Sequence, residues 1–383
     1  MRSSVGIRTV TSRLLLSNYG SFLQHLALRS IIESFGFNVV RCVSADDEDS
    51  IAVMLRKIIL SIARVPYYAI FKKEQIQTAI ELYRSTPSIA TRVKFIIDYH
   101  RLIGGIREEI PRAGLKAIVL GGDQCFRIDV IESLVKNIES GTKLVSFAAS
   151  ADWVDLQARR NWMDRTTLGC SNFSAIGLRE RYGVALLNNM CKISPRAEVV
   201  ADPVLCVTQD WLAKLAPQKK SFNKPTLLCY ILNISDKDSF RIEVFNNLAR
   251  MVGCDLKIVA IQGAEHFVPK KLLIHVGPCD FIGLIRDAEY VITNSFHGSI
   301  LALQFHKNFI TLRQKQSSQS GQNIRLDELF DNINLRGRLM PENAGEDELF
   351  KAINTGIDWV ELDCHGEAIR DKSVSWLRKC LSK

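Results

Sequence analysis

The alternation of apolar and polar positions divides the chain into short strands and amphipathic helices. "VGIRTV" (Val5 to Val10) reads as a strand. A polar connection through Asn18, Tyr19 and Gly20 leads into "SFLQHLALRSIIESFG", where Phe22, Leu23, Leu26, Ala27, Ser30 and Ile31 recur at helical spacing. Gly36 stands where a C-cap glycine is expected, and "FNVVRCV" is the next strand. The chain therefore opens with β-α-β, the unit of a parallel sheet. Farther on, "KAIVL", "KLVSFAAS", "AIGLRE" and "EVVADP" are short apolar runs ending in small or polar residues. Open α/β sheets place ligand contacts at such ends.

The lysine-rich stretch "LAKLAPQKKSFNKPT" (Leu212 to Thr226) holds two prolines and lacks apolar periodicity, as a linker would. Beyond it the pattern restarts. "TLLCYIL", "LKIVAIQ", "LLIHVG", "YVIT" and "FITL" read as strands, with helices around "DSFRIEVFNNLARMVG" and "DFIGLIRDA" between them. The expected architecture is α/β, with two Rossmann-like domains facing a cleft. Residues 1–212 form the first, 213–225 the linker and 226–359 the second, and the helix within 360–383 packs back onto the first. Within "IAVMLRKIILSIARV" (Ile51 to Val65), Arg56, Lys57, Ser61 and Arg64 share one face. That basic amphipathic helix suits an ordinary surface or an anionic membrane. The remainder of residues 51–110 is helical in character and carries no motif.

Composition narrows the function classes. The 383 residues are 47% hydrophobic and 24% charged, which is globular. A formal net charge of +9 favours anionic ligands or surfaces. The basic residues are dispersed rather than interleaved with aromatics, so nucleic acid is not an expected partner. Ten cysteines lie far apart with no C-x-x-C and no zinc-finger spacing to histidine, which points to reduced thiols, a cytoplasmic setting and no metal. The N-terminus lacks a signal-peptide pattern, and no apolar window is long enough to span a bilayer.

Three stretches carry candidate chemistry. In "EYVITNSFHGSILALQF" a strand meets a helix, with Asn294 or Ser295 as N-cap candidate and Phe296, His297, Gly298 and Ser299 in the first turn. A helix N-terminus presents free N–H groups and the positive dipole end, which suits phosphate or carboxylate. His297 could donate to that anion or move a proton, or it could be a buried structural histidine. Arg179 directly follows a strand in "GLRERYG", and its planar fork suits a bidentate anion or an ion pair with Glu180 or another acid. Gly121, Gly122, Asp123 and Gln124 cradle a ligand or simply turn; they match no established phosphate-loop pattern. Metal-hydrolase and G-x-S-x-G motifs are absent, and the six histidines other than His297 read as structural.

Taken in order, "NYGSFLQHLAL", "VLGGDQCFR", "LVSFAASAD", "GLRERYGVALL", "ADPVL", "LLCYIL" and "YVITNSFHGSILALQF" resemble the polysaccharide pyruvyl transferase family, over about residues 5 to 312. "NIRLDELF" is similar to the family's closing segment. The resemblance implies a GT-B-like fold and transfer of pyruvate from phosphoenolpyruvate to a glycan or lipid-linked oligosaccharide, with phosphoenolpyruvate a co-substrate and no cofactor. It further implies a donor site at Ser295, Phe296 and His297, with Arg179 holding anionic groups. In that frame His297 is the general acid and Asp123 the candidate base. The wider substrate site takes in Asn18, Tyr19 and Gly20, Gly121 to Gln124, and Asn294 to Ser299. Phe126 and Arg127 depart from the family's usual tryptophan and asparagine, so acceptor contacts differ there. The implied setting is the cytoplasm, at the inner face of the cell membrane if the basic helix docks. A nucleotide-sugar glycosyltransferase and a non-catalytic scaffold of polysaccharide assembly are the competing readings.

Overall fold

The computed structural model describes residues 3–9, 18–42, 88–104, 114–158, 161–232, 240–261, 265, 267–314 and 320–382. The segment read as a basic amphipathic helix, Ile51 to Val65, lies outside them. Two parallel sheets organise the chain. The first holds β1 (Ser4–Arg8), β2 (Asn38–Arg41), β3 (Leu115–Gly121), β4 (Lys143–Ala149), β5 (Ala175–Leu178) and β6 (Ala197–Val199), in the order β2-β1-β3-β4-β5-β6. The second holds β7 (Thr226–Ile231), β8 (Asp255–Ala260), β9 (Tyr290–Thr293), β10 (Asn308–Leu312) and β11 (Leu339–Met340), in the order β11-β10-β9-β7-β8. Every pairing is parallel, as crossover connections through helices require.

The helices of the first half are α1 (Tyr19–Ser34), α2 (Ile89–Leu102), α3 (Ile128–Asn137), α4 (Trp153–Ala158), α5 (Trp162–Cys170), α6 (Arg181–Leu186) and α7 (Gln209–Leu215). Those of the second are α8 (Ile242–Met251), α9 (Pro278–Asp287), α10 (Phe296–Gln304), α11 (Ser320–Asn332), α12 (Glu346–Asn354) and α13 (Trp359–Ser382). The architecture is two Rossmann-like units in a GT-B-like arrangement. One expected strand does not form: "LLIHVG" makes a single bridge, Leu273 to Ile258, and then runs as an irregular segment. Its apolar side chains satisfied the strand pattern, but Pro269 and the turn after it leave room for one bridge only.

Helix α1 joins the halves. It packs under the first sheet and also against α9 and α10 of the second. Tyr19, at its first turn, stacks on Phe281 and Tyr230 with centroids 4.8 and 5.9 Å away, and its hydroxyl donates to the Val276 carbonyl at 2.7 Å. One apolar cluster therefore runs from Val5 and Phe22 through Tyr19 to Phe281 and Ile300. Helix α13 returns to the first sheet. Ser373 Oγ accepts from the Ala201 N–H at 2.9 Å, and Trp376 stacks on Phe147 where Gly177 leaves room for the indole. All ten cysteines are free, and among the described residues no helix is long and apolar enough to cross a membrane.

Candidate active site

The strand ends of the two sheets face each other, and a buried ion cluster fills the gap. From the first sheet come Asp123, after β3; Arg179 and Glu180, after β5; and Asp202, after β6. From the second come His297 in the first turn of α10 and Arg325 on α11. Arg179 binds three carboxylates at once: Nε to Glu180 at 2.9 Å, and its two terminal nitrogens to Asp202 and Asp123 at 2.8 Å each. The face of its guanidinium lies 4.3 Å from the Phe296 ring centroid, a cation–π contact across the halves. Arg325 makes a second bond to Asp123 Oδ1.

Gln24, on α1, ties the acids together. Its Nε2 donates to Asp202 Oδ2 at 2.6 Å, and its Oε1 accepts from the Asp123 N–H at 2.8 Å. Burial would push both carboxyls up, but their neighbours prevail. Arg325, Arg179 and His297 bring Asp123 down to about 2. His297, Arg179 and the Val204 N–H hold Asp202 well below the ordinary carboxylate range. Burial likewise opposes the charge on Arg179, and Glu180, Asp123 and Asp202 reverse that effect.

His297 is almost fully enclosed, 6% exposed. Its ring lies flat against Gly20: a Cβ there would sit 2.1 Å from Nδ1, so only glycine admits the histidine. Nε2 is 3.5 Å from Asp202 Oδ2, near enough for charge attraction but too long for a well-formed hydrogen bond. Among the described residues it has no hydrogen-bond partner, and neither does the buried Arg325 Nε. Two orphaned nitrogens in one ionic cluster are costly unless a ligand satisfies them.

The other expected site residues separate into shell and scaffold. Ser295, not Asn294, caps α10, accepting from the Gly298 N–H at 3.3 Å. Asn294 instead bridges both backbone groups of Leu232 at 2.7 and 3.0 Å, fixing the turn to the end of β7. Ser299 is fully buried, donating to the Ser295 carbonyl and sharing a 2.7 Å bond with Thr311. Gly298 presses on Thr293 and Tyr230, where a Cβ would be 2.5 Å from Thr293 Oγ1. Asn18 caps α1 through the Ser21 N–H, and Tyr19 belongs to the core. Gly121 backs onto the Phe147 carbonyl. Gly122 and Gln124 have φ of 99° and 50°, and these two left-handed residues bracket Asp123 and turn its carboxylate into the cluster.

The structure thus brings Gly20, Asp123, Arg179, Phe296 and His297 together and adds Gln24, Glu180, Asp202 and Arg325. Asp202 and Arg325 lie inside "ADPVL" and "NIRLDELF", the segments that signalled the family without disclosing a role. Among the described residues no group of histidine, cysteine and acidic side chains is arranged to hold a metal ion.

The family model for polysaccharide pyruvyl transferases matches residues 18–316. No functionally curated protein matches the sequence. Among solved structures, UDP-GlcNAc 2-epimerase from Methanocaldococcus jannaschii, in complex with UDP-GlcNAc and UDP, is similar at 13% identity and TM-score 0.51, over 93% of this chain and 94% of that one. A second UDP-N-acetylglucosamine 2-epimerase is similar at 11% identity and TM-score 0.50, over 97% and 94%. At these identities the likeness is one of fold.

Proposed function

This chain belongs to the polysaccharide pyruvyl transferase family, and from that premise we propose that it moves pyruvate from phosphoenolpyruvate onto a sugar of a surface polysaccharide or its lipid-linked precursor. The observation that carries the donor assignment is the pair of orphaned buried nitrogens, His297 Nε2 and Arg325 Nε. A donor bearing a phosphate and a carboxylate supplies the acceptor oxygens both lack. Arg179 has five N–H groups, of which three are bonded to carboxylates, and in this reading the other two are available to the donor.

In this reading His297 gives its proton to the methylene carbon of phosphoenolpyruvate, and positive charge develops at the neighbouring carbon. One sugar hydroxyl adds there, phosphate leaves with the C–O bond that held it, and a second hydroxyl closes the ketal. Of the two hydroxyl protons, one replaces the proton that went to the methyl group and the other leaves with phosphate. Asp202 is the counter-charge for a protonated His297: three carboxylates face two guanidinium groups, and an imidazolium makes the charges equal. Asp123 is a poor proton acceptor with its carboxyl near 2, so its role is to hold Arg179 and Arg325. His297 and Arg325 both come from the second half. Residues 226–359 then form the donor side and 1–212 the acceptor side, joined by 213–225 and overlapped by 360–383.

A nucleotide-sugar enzyme is the second reading, favoured by the fold likeness to epimerases solved with UDP-GlcNAc and UDP, since a diphosphate also satisfies orphaned N–H groups. Thermal unfolding separates them, because a ligand that binds only the folded state raises the midpoint. Phosphoenolpyruvate should raise it and UDP should not. Stabilisation by UDP alone would select the second reading.

A further inference from the structure

The three carboxylates of the ion cluster are not equally held. Asp202 accepts from Gln24 Nε2, Arg179 Nη1 and the Val204 N–H at 2.6, 2.8 and 2.9 Å, and its side chain is 0% exposed. Glu180, at 1%, lies between Arg179 Nε at 2.9 Å and the Trp153 indole N–H at 3.3 Å. Asp123 differs from both. Its side chain is 19% exposed, and its carboxylate accepts only from guanidinium groups, Arg179 Nη2 at 2.8 Å and Arg325 Nη1. Both bonds fall on Oδ1, and Arg325 Nε beside them has no partner among the described residues.

Apart from His297, the cluster sets three carboxylates against two guanidinium groups, so an entering anion meets cations that are already paired. A fourth acid is repelled unless it takes the place of a resident one. We propose that the donor's carboxylate exchanges with that of Asp123 between Arg179 and Arg325, so that the free protein keeps its donor site occupied by its own side chain; the assignment rests on the pyruvyl-transfer reading. Asp123 is the acid able to leave, since no N–H outside the two guanidinium groups holds its carboxylate and part of it already meets water. Fit favours the exchange. Asp123 spends one oxygen on both arginines, whereas a free carboxylate can set its two oxygens side by side against Arg325, on Nε and a terminal nitrogen. The orphaned Nε is then satisfied. Arg179 keeps its bonds to Glu180 and Asp202 throughout, so it does not move when the ligand arrives. The Asp123–Arg325 bond also joins the two halves, and donor entry therefore opens one link across the cleft.

Two measurements on the full chain test this. In the first, NMR titrations give dissociation constants for phosphoenolpyruvate, and for pyruvate as a probe of the carboxylate alone, in the wild type and in Asp123→Asn. The asparagine keeps the shape of the aspartate and removes the competing charge. It should bind both ligands at least about tenfold more tightly, the gain expected if the free protein holds the acid in place about nine-tenths of the time. In the second, a crystal structure of the wild-type complex with phosphoenolpyruvate should show the donor's carboxylate between Arg179 and Arg325, with Asp123 turned away from both. This second measurement separates exchange from a mere loss of repulsion, and it decides the matter alone if the variant does not fold. Equal or weaker binding by a folded Asp123→Asn overturns the proposal, as does a complex in which Asp123 still bridges the two arginines. Either result leaves the pyruvyl-transfer reading standing. A wild type and a variant that both bind UDP, and neither phosphoenolpyruvate nor pyruvate, would sink that reading and the exchange with it.

Discussion

His297 has its ring packed on a glycine, a carboxylate 3.5 Å from Nε2 and no other partner among the described residues. His297→Gln keeps a polar amide in that space while removing the imidazole proposed as the proton donor. Turnover should fall by about 10²–10⁴-fold, the usual span for a general acid, with the unfolding midpoint close to wild type. Gly20→Ala tests the packing from the other side. Alanine favours a helix over glycine by about 1 kcal/mol, yet its Cβ would collide with the imidazole. A loss of turnover of about 10²-fold in a protein that still folds is the expected outcome; unchanged kcat would show that the ring position is unimportant. Sequence reading reached His297 because a strand, a polar turn and a helix are contiguous signals. It did not reach Gln24, Asp202 or Arg325, because each acts on a distant partner: 178 positions separate Gln24 from Asp202 and 202 separate Asp123 from Arg325. Its sequence position suits Arg179 to an anion or to an ion pair, and its three carboxylate bonds show that the ion-pair role is present in the protein as it stands.

Helix α1 sets both the fold and the site, since it carries Gly20, Gln24 and the inter-sheet anchor Tyr19. It also carries His25, fully buried with Nδ1 2.9 Å from Thr9 Oγ1. Burial, with Arg41 and Arg29 nearby, lowers His25 from 6.5 to about 3. Between those values the unfolded chain binds the proton and the folded chain does not. Stability should therefore fall as pH drops from 6.5 towards 3, by up to about 1.4 kcal/mol per pH unit from this residue. His25→Gln should flatten that slope in chemical denaturation at a series of pH values; parallel curves for the two proteins would contradict the assignment. Elements such as α1 and β1 were legible because apolar residues repeat with one period and glycine marks the helix end. "LLIHVG" was not, since its apolar pattern is shared by strands and by buried irregular segments, and only the pairing partner decides.

At the scale of the whole molecule, α11 fastens the halves together. Arg325 reaches Asp123, and the Glu328 carboxylate accepts from the Arg181 and Tyr182 N–H groups at 2.5 and 2.8 Å, capping α6 from across the cleft. Glu328→Ala removes that cap and should destabilise the protein by about 1 kcal/mol, seen as a lower unfolding midpoint; an unchanged midpoint would show that the cleft is held by the apolar core alone. The two-sheet plan was readable from the restart of the β/α rhythm after the lysine-rich stretch. The closeness of the halves was not, because it depends on Tyr19, Arg325 and Glu328 meeting partners that no local pattern names.

In the proposed reaction the cluster around His297 protonates phosphoenolpyruvate and hands its pyruvyl group to a sugar. Reaction in deuterated water with phosphoenolpyruvate and a glycan acceptor, followed by phosphorus and proton NMR, measures this directly. Acceptor-dependent release of phosphate and a ketal methyl group carrying one deuterium are expected, both lost in His297→Gln. Phosphate release and labelling that persist undiminished in that variant, or a wild-type protein that leaves phosphoenolpyruvate intact with every glycan acceptor, would contradict it.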